Sequence, residues 1–380
     1  MGAKTVAFAL LLLTGCTELN VQNLRYDSGV IIADADLTPP RPDAAPPPVF
    51  PDAAPRPDLG VPDATLMPPD AGANPDAAPV FRDAAPPDTG LINYAGPPID
   101  PLVGIGNVEV VRENFGFLEG PVWDEEHGVL LFSDIANDRI VRFRPPNTFD
   151  VFRTPSNGAN GLAIDRQGRL YSCEGTSRSI VRGSIGGGPS TTFASRWNNQ
   201  RLNSPNDLVI RSDGVVFFTD PPYGLMGPRE IMFNGIFSAT EINPTFVNVR
   251  DEFQTAIESR PNGMVLFPDE RTIIISNTFD GHISTFDVQP NGELTRPFTW
   301  IITSPEPDGV AIDSIGNVFV ATSAGIEVYD MAPPNARWGT ITVPRQPSNM
   351  AWGDADKRTL YITAREGLYR VRLTHPGLHD

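Results

Sequence analysis

The chain has 380 residues, of which 40 are proline, and it carries a formal net charge of −17 at pH 7. It contains no basic cluster that could neutralise phosphates, so the composition argues against nucleic acid as a partner. The only two cysteines, Cys16 and Cys173, exclude a disulfide-rich fold.

The first 16 residues, MGAKTVAFALLLLTGC, have the pattern of a secretory signal peptide. The apolar run is too short to span a bilayer as a mature helix. Its end, Leu-Thr-Gly-Cys, resembles a bacterial lipobox, so we predict a lipoprotein signal peptide over residues 1–16 with lipidation at Cys16. An ordinary signal peptide with a chance cysteine is the alternative. Thr17, in place of an aspartate, favours a lipid-anchored position on the cell envelope at the outer membrane.

Residues 17–101 are rich in proline, aspartate and alanine and contain few large apolar side chains. Proline disfavours helices and sheet hydrogen bonding, and so polar a segment has little apolar surface to bury. We therefore predict a disordered, extended linker that holds a folded domain away from the anchor.

A strand–turn–strand pattern recurs six times within residues 102–375, as in PNDLVIRSDGVVFFTD. The spacing of roughly 40 to 55 residues is typical of propeller blades. Each copy is followed by a third strand-like run and a less regular fourth run. The sequence thus predicts an all-β fold, a six-bladed β-propeller with four-stranded blades.

The sixth copy ends one strand short, after GLYRVRL, while an unassigned strand, NVEVVRE over residues 107–113, precedes the first copy. We expect this strand to complete the sixth blade. Such pairing would join the two ends of the domain and remove an exposed edge.

One position in each copy lies just before the innermost strand and should point at the propeller axis. The residues at this position are Glu119, Asn160, Asn206, Asn262, Asp308 and Asn349. Two carboxylates and several amide oxygens suit one hard divalent cation, with Ca²⁺ first and Mg²⁺, Mn²⁺ or Zn²⁺ as alternatives. Asparagine and aspartate before glycine also form turns, so six bends without a ligand are the alternative. Glu119 breaks the turn pattern but keeps the oxygen, which favours the metal.

Five segments carry a resemblance to a known family: LEGPVWDEEHGVLLFSD, LNSPNDLVIRSDGVVFFTDPPYGL, RPNGMVLFPDERTIIISN, PDGVAIDSIGNVFVAT and NMAWGDADKRTLYITAREGLYRVRL. They resemble the gluconolactonase, regucalcin (senescence marker protein) and luciferin-regenerating-enzyme-like family over most of residues 105–373. The resemblance implies a six-bladed propeller with one divalent ion, usually calcium.

The resemblance also implies roles for individual residues. Glu119, Asn206, Asn262 and Asp308 match the metal-binding positions, and Asp308 also matches the general base. Asn206 is expected to contact the substrate as well as the metal, and Asn160 and Tyr223 are expected substrate contacts.

The expected function is a metal-dependent hydrolase of sugar lactones or related lactones and esters. A ligand-binding or scaffolding propeller lipoprotein without turnover is the alternative. Ser204 stands where the regucalcin branch has arginine, and Gly175 stands where the bacterial branch often has histidine. These departures leave the exact lactone open.

Overall fold

The computed structural model describes residues 99–331 and 336–378, and the backbone of a short strand pair, β1 (Arg25–Asp27) and β2 (Val30–Ile32). That pair lies within the range predicted as linker. Cys16 and the remainder of the linker up to residue 98 lie outside the described residues, so the anchor and the linker stay predictions. Among the residues described, no helix is long and apolar enough to cross a membrane.

Strands dominate the described chain from β3 (Glu109–Arg112) onward. Blade 1 contains β4 (Leu118–Asp124), β5 (Val129–Asp134), β6 (Arg139–Arg144) and β7 (Thr148–Arg153), with a 3₁₀ turn at Ile135–Asn137. Blade 2 contains β8 (Ala159–Ile164), β9 (Arg169–Glu174), β10 (Ser179–Ser184) and β11 (Ser190–Ala194). A small ribbon follows, formed by β12 (Arg196–Trp197) and β13 (Gln200–Arg201).

The remaining blades follow in the same order along the chain. Blade 3 contains β14 (Leu208–Ile210), β15 (Val216–Asp220), β16 (Asn234–Asn243) and β17 (Phe246–Thr255). Blade 4 contains β18 (Pro261–Leu266), β19 (Thr272–Asn277), β20 (His282–Val288) and β21 (Leu294–Ile302). Blade 5 contains β22 (Val310–Ile312), β23 (Asn317–Thr322), β24 (Gly325–Asp330) and β25 (Arg337–Ile341). Blade 6 contains β26 (Asn349–Gly353), β27 (Thr359–Ala364) and β28 (Gly367–Arg372), with β3 as its fourth strand.

This arrangement confirms the predicted six four-stranded blades and the closing strand. β3 pairs antiparallel with β28, and Tyr369 lies opposite Val110 in the register. The paired strand is shorter than the predicted run over residues 107–113. β28 would otherwise be an open edge, so the pairing joins both ends of the propeller.

Side-chain packing between the last and first blades also closes the circle of six blades. Six clusters of buried apolar side chains each lie between two neighbouring blades. Between the last and first blades, Trp123 stacks on Tyr361 with ring centroids 5.7 Å apart. In the described part of the chain, each blade therefore buries its inner strands against two neighbours.

The innermost strands are continuous apolar runs because blades cover both of their faces. In blade 3, β14 ends at a tight turn in which Gly214 adopts φ +89°, a conformation that favours glycine. The Arg211 amide donates to the Val215 carbonyl across this turn at 2.8 Å. The turn fixes the register of β14 on β15 and thereby the position of Asn206 just before β14.

Candidate active site

A cavity of about 410 Å³ lies at the end of the propeller where the innermost strands begin. Six of the residues that line it were expected there from the sequence: Glu119, Asn160, Asn206, Tyr223, Asn262 and Asp308. Five of these come from five different blades at the same position of the repeat. The sixth, Tyr223, comes from the long connection between β15 and β16.

Hydroxyl groups hold the ring of side chains at fixed spacing. In three blades a hydroxyl from the second strand donates to the carbonyl of the ring residue in the next blade. The pairs are Ser133 Oγ to Asn160 O (2.7 Å), Thr219 Oγ1 to Asn262 O (2.9 Å) and Ser276 Oγ to Asp308 O (2.6 Å). Neighbouring blades are therefore tied together directly beside the cavity.

Glycine after the ring position allows the blades to approach closely. A Cβ at Gly309 would lie 2.1 Å from Asn349 Oδ1, and one at Gly263 would lie 2.4 Å from the Asp308 carbonyl oxygen. These distances are below van der Waals contact, so only glycine fits without a shift of the next blade.

Replacing Gly309 by alanine should therefore destabilise the propeller by about 2 kcal/mol and lower Tm by roughly 5 °C. Gly186→Ala is the matched control, because its Cβ would meet only Ser184 Oγ at 3.5 Å. Calorimetric unfolding of both variants measures the difference. Equal Tm values for Gly309→Ala and the unmodified chain would contradict the close approach.

Three carboxyl groups, Glu119, Asp207 and Asp308, lie together beside the cavity. Burial raises the pKa of Glu119 well above its usual range, and the charges of Asp308 and Asp207 raise it further. Burial and the charge of Asp207 raise the pKa of Asp308 to about 8, although Asp308 keeps some contact with solvent inside the cavity. Burial raises the pKa of Asp207 to about 6. Uncompensated buried carboxylates of this kind favour either protons or a bound cation.

Two asparagines hold these acids in place. The side chain of Asn349 hydrogen-bonds both Glu119 and Asp207, which lowers the pKa of each. Its own Oδ1 accepts the Met350 amide at 2.8 Å, so Asn349 does not line the cavity, unlike the other five ring residues. Asn262 hydrogen-bonds Asp308 and donates to Thr278 Oγ1 at 2.9 Å.

The donor set fits a hard divalent cation. Among the described residues, no three His, Cys, Asp or Glu side chains form a group that could hold a metal ion by themselves. A site here would therefore combine the Glu119 and Asp308 carboxylates with the amide oxygens of Asn206 and Asn262, as calcium accepts. Of the described side chains that line the cavity, Arg365 is the only cation, and it lies at the rim.

Asp207 has a place in the site that the sequence analysis did not assign. In four blades glycine follows the ring residue, whereas in blade 3 this residue is Asp207. Its carboxylate accepts the amides of Leu208 (3.0 Å) and Met264 (3.2 Å). A Cβ at Gly161 would lie 2.4 Å from Asp207 Oδ1, so that glycine makes room for the acid. The break in the glycine pattern was the signal that could have identified Asp207.

The two departures from the family pattern lie against each other. Asp220 accepts the amides of Asn203 (2.7 Å) and Ser204 (2.8 Å), which fixes the segment before Asn206. Ser204 Oγ in turn accepts the Gly224 amide at 3.0 Å, and a Cβ at Gly175 would lie 2.8 Å from the same oxygen. A larger side chain at position 175 would therefore displace the loop that carries Tyr223.

Tyr223 has an exposed ring and an enclosed hydroxyl. Half of the residue's surface is exposed, whereas burial raises the pKa of its hydroxyl to about 12. Hydrogen bonds with Thr278 and Asn262 oppose that rise. The hydroxyl therefore faces the ring of amides while the aromatic face remains at the cavity mouth.

A polar chain of side chains forms the rim on the side of blades 5 and 6. Gln346 Nε2 donates to Glu306 Oε2 at 2.9 Å, and the Arg365 guanidinium donates to the Gln346 side-chain oxygen. Arg365 also lies over the Phe117 ring, 5.6 Å from its centroid. These residues come from irregular connections that no repeat marks, so the sequence analysis missed them.

Known proteins resemble this chain in sequence. Residues 117–366 match the family model described as the SMP-30/Gluconolactonase/LRE-like region. A gluconolactonase of Zymomonas mobilis is 30% identical over 315 residues, covering 74% of this chain and 86% of that protein. A pentonolactonase of Haloferax volcanii is 24% identical, covering 66% and 81%.

Solved structures resemble it in fold. A gluconolactonase of Xanthomonas campestris superposes with a TM-score of 0.64 at 28% identity, covering 70% of this chain and 89% of that chain. A luciferin-regenerating enzyme superposes with a TM-score of 0.61 at 18% identity, covering 73% and 98%. The family model spans more than half of the chain, and the match to the Zymomonas protein spans still more. The chain therefore belongs to the SMP-30/gluconolactonase/LRE-like family.

Proposed function

We propose that this protein is a metal-dependent hydrolase of sugar lactones or related lactones and esters, with calcium as its cation. The observation that carries the proposal is the pair of carboxylates, Glu119 and Asp308, that faces one cavity among amides. The proposal is also supported by the relatives named gluconolactonase and pentonolactonase.

Glu119, Asn206, Asn262 and Asp308 would hold the cation. When bound, calcium would supply a Lewis acid to polarise the lactone carbonyl. Its charge would also offset the burial and the repulsion that raise the pKa of Glu119 and of Asp308. Asp308 would then be ionised near neutral pH, which is the state that a general base needs.

In the proposed reaction, Asp308 takes a proton from a water molecule as its oxygen attacks the lactone carbonyl carbon. The bond between that carbon and the ring oxygen breaks, the ring oxygen takes up the proton that Asp308 accepted from water, and the product is a hydroxy acid. Asn160 and Asn206 offer amide groups to the substrate's hydroxyls, and Tyr223 lines the same cavity. Hydrogen bonds of this kind orient the ring for attack.

A panel of aldonolactones tests the proposal through acid release followed with a pH indicator. We expect turnover with calcium, loss of turnover after chelation, and recovery when calcium is returned. Calcium-loaded protein that binds lactones in calorimetry but releases no acid from any of them would favour the non-catalytic propeller instead.

We further propose that Cys16 carries a lipid anchor that holds the enzyme at the cell envelope, with Thr17 favouring the outer membrane. Replacing Cys16 by serine should move the protein from the membrane fraction to the soluble fraction, or stop its maturation, because the thiol is the acylated group. Cys173→Ser is the matched control, since Cys173 is buried in the propeller. Normal processing and unchanged membrane fractionation of Cys16→Ser would contradict the anchor.

A further inference from the structure

Exposed apolar side chains cluster on one side of the cavity mouth. They lie on the connections of blades 3 and 4 at the end of the propeller that carries the cavity, and they are between 48% and 72% exposed. We call them the apolar strip: Tyr223, Met226, Met232, Ile257 and Phe279. Large exposed apolar side chains grouped in this way commonly mark a surface that binds a ligand, another protein or a membrane.

The apolar strip is continuous with the cavity. Tyr223 and Thr278 both line the cavity, and Phe279 directly follows Thr278. Asn234 Nδ2 donates to the Ile257 carbonyl at 3.0 Å, which ties the connection after β17 to the start of β16. Met232 lies two residues before Asn234 and is therefore close in sequence to this hydrogen bond. A molecule held in the cavity could therefore extend over the strip.

The rest of the mouth has a different character. On the side of blades 5 and 6 lie the charged and amide groups of Glu306, Gln346 and Arg365. In the described part of the chain, the cavity-side connections of blades 1, 2, 5 and 6 carry no exposed large hydrophobic side chain. The mouth is thus polar on one side and apolar on the other, which suits a substrate with two unlike ends.

We propose that the apolar strip binds an alkyl or acyl chain on the lactone substrate, so that the natural substrate is amphipathic. This inference rests on the proposed lactonase function. The lactone ring would lie over Glu119 and Asp308, and its chain would pass Tyr223 toward Met226 and Phe279. Burial of that chain would add binding energy without touching the reacting atoms.

The charged side chains around the apolar strip favour a substrate's alkyl or acyl chain, rather than a lipid surface, as the molecule that covers it. Acidic residues accompany the strip on the same connections: Glu230, Glu258 and Asp280. The nearby arginines are engaged within the protein. Backbone carbonyls of Ile257 and Glu258 accept from Arg260, and that of Phe233 accepts from Arg229. Arg196 and Arg201 each lie 3.9 Å from the Glu230 carboxylate. A surface docked on anionic lipid would instead present free basic side chains around its apolar ones.

A series of γ-lactones with side chains lengthened by one methylene at a time tests the inference on the full chain. We expect kcat/KM to rise about twofold per methylene, or roughly thirtyfold over five methylenes. The factor is modest because the apolar strip would remove only part of each methylene from water. The double variant Met226→Ser/Phe279→Ser should flatten this rise while leaving the rate with the unsubstituted lactone unchanged. Ile242→Ser is the matched control, since Ile242 is 59% exposed near the far end of β16.

Three results would overturn the inference. The first is a flat dependence on chain length in the unmodified protein. The second is a double variant that slows all lactones equally. The third is activation by vesicles of phosphatidylcholine, with or without anionic phosphatidylglycerol, that the double variant abolishes, which would assign the strip to a lipid surface. If no lactone is hydrolysed at all, the proposed function fails, and calorimetric binding of the same lactones still decides whether affinity rises with chain length.

Discussion

Replacing Asp308 by asparagine should lower lactone turnover by about 10²- to 10⁴-fold even at saturating calcium, which is the typical effect of removing a general base. Asparagine keeps the size of the side chain and one oxygen that could contact a cation, but it cannot accept the proton from water. Asp308 lies among buried acids and lines the cavity. The loss should therefore exceed what weaker calcium binding explains.

Asp207→Asn is the matched variant that separates two roles of a carboxylate in this cluster: attracting the cation and accepting the proton from water. Asp207 contributes to the same negative field, since its charge raises the pKa of both Glu119 and Asp308, but it does not line the cavity. We expect both variants to bind calcium more weakly in calorimetry and only Asp308→Asn to lose turnover once the metal is saturating. Full turnover by Asp308→Asn under those conditions would exclude it as the base, and Glu119 and Glu306 would remain as described carboxylates that line the cavity.

The parts of the fold that repeat could be predicted from the sequence. Innermost strands are apolar runs because both of their faces are buried. The ring residue recurs near the start of each of them, within β18 for Asn262 and two residues before β14 for Asn206. The closing strand was predictable because the sixth copy lacked one strand. Repetition thus encodes both the blades and the ring that lines the cavity.

Features that occur once could not be predicted in the same way. The rim residues Glu306, Gln346 and Arg365 come from connections whose paths depend on tertiary packing rather than on periodicity. The connection that carries Tyr223 is positioned by Ser204, through a contact across 20 residues of sequence. Even within the repeat, the role of Asn349 depends on its hydrogen bonds to Glu119 and Asp207, which residue type alone does not determine.

Calcium should stabilise the propeller more near pH 8 than near pH 5. In the metal-free protein, burial raises the pKa of Asp308 to about 8 and that of Asp207 to about 6, whereas both would ionise near pH 4 in the unfolded chain. Between these values the folded state holds protons that the unfolded state has released. The stability that these protons contribute is complete below about pH 4 and is lost as the pH rises toward 8.

Thermal unfolding with a chelator and with calcium, each measured near pH 5 and near pH 8, tests this expectation. The chelated protein should have a lower Tm near pH 8. Calcium at one fixed concentration, about one hundred times its Kd at pH 8, should add about 2.7 kcal/mol of stability there and less near pH 5, where protons compete with the cation. Surface carboxylates such as Asp356, whose ion pair with Arg372 lowers its pKa to about 2, stay ionised across this range and do not confound it. Asp308→Asn is the control, because Asp308 has a higher pKa than Asp207. The Tm of the chelated variant should therefore fall less between pH 5 and pH 8 than that of the unmodified protein. A chelated protein whose Tm does not fall between these two pH values would contradict protonation of these buried acids, and with it the argument for the proposed cation site.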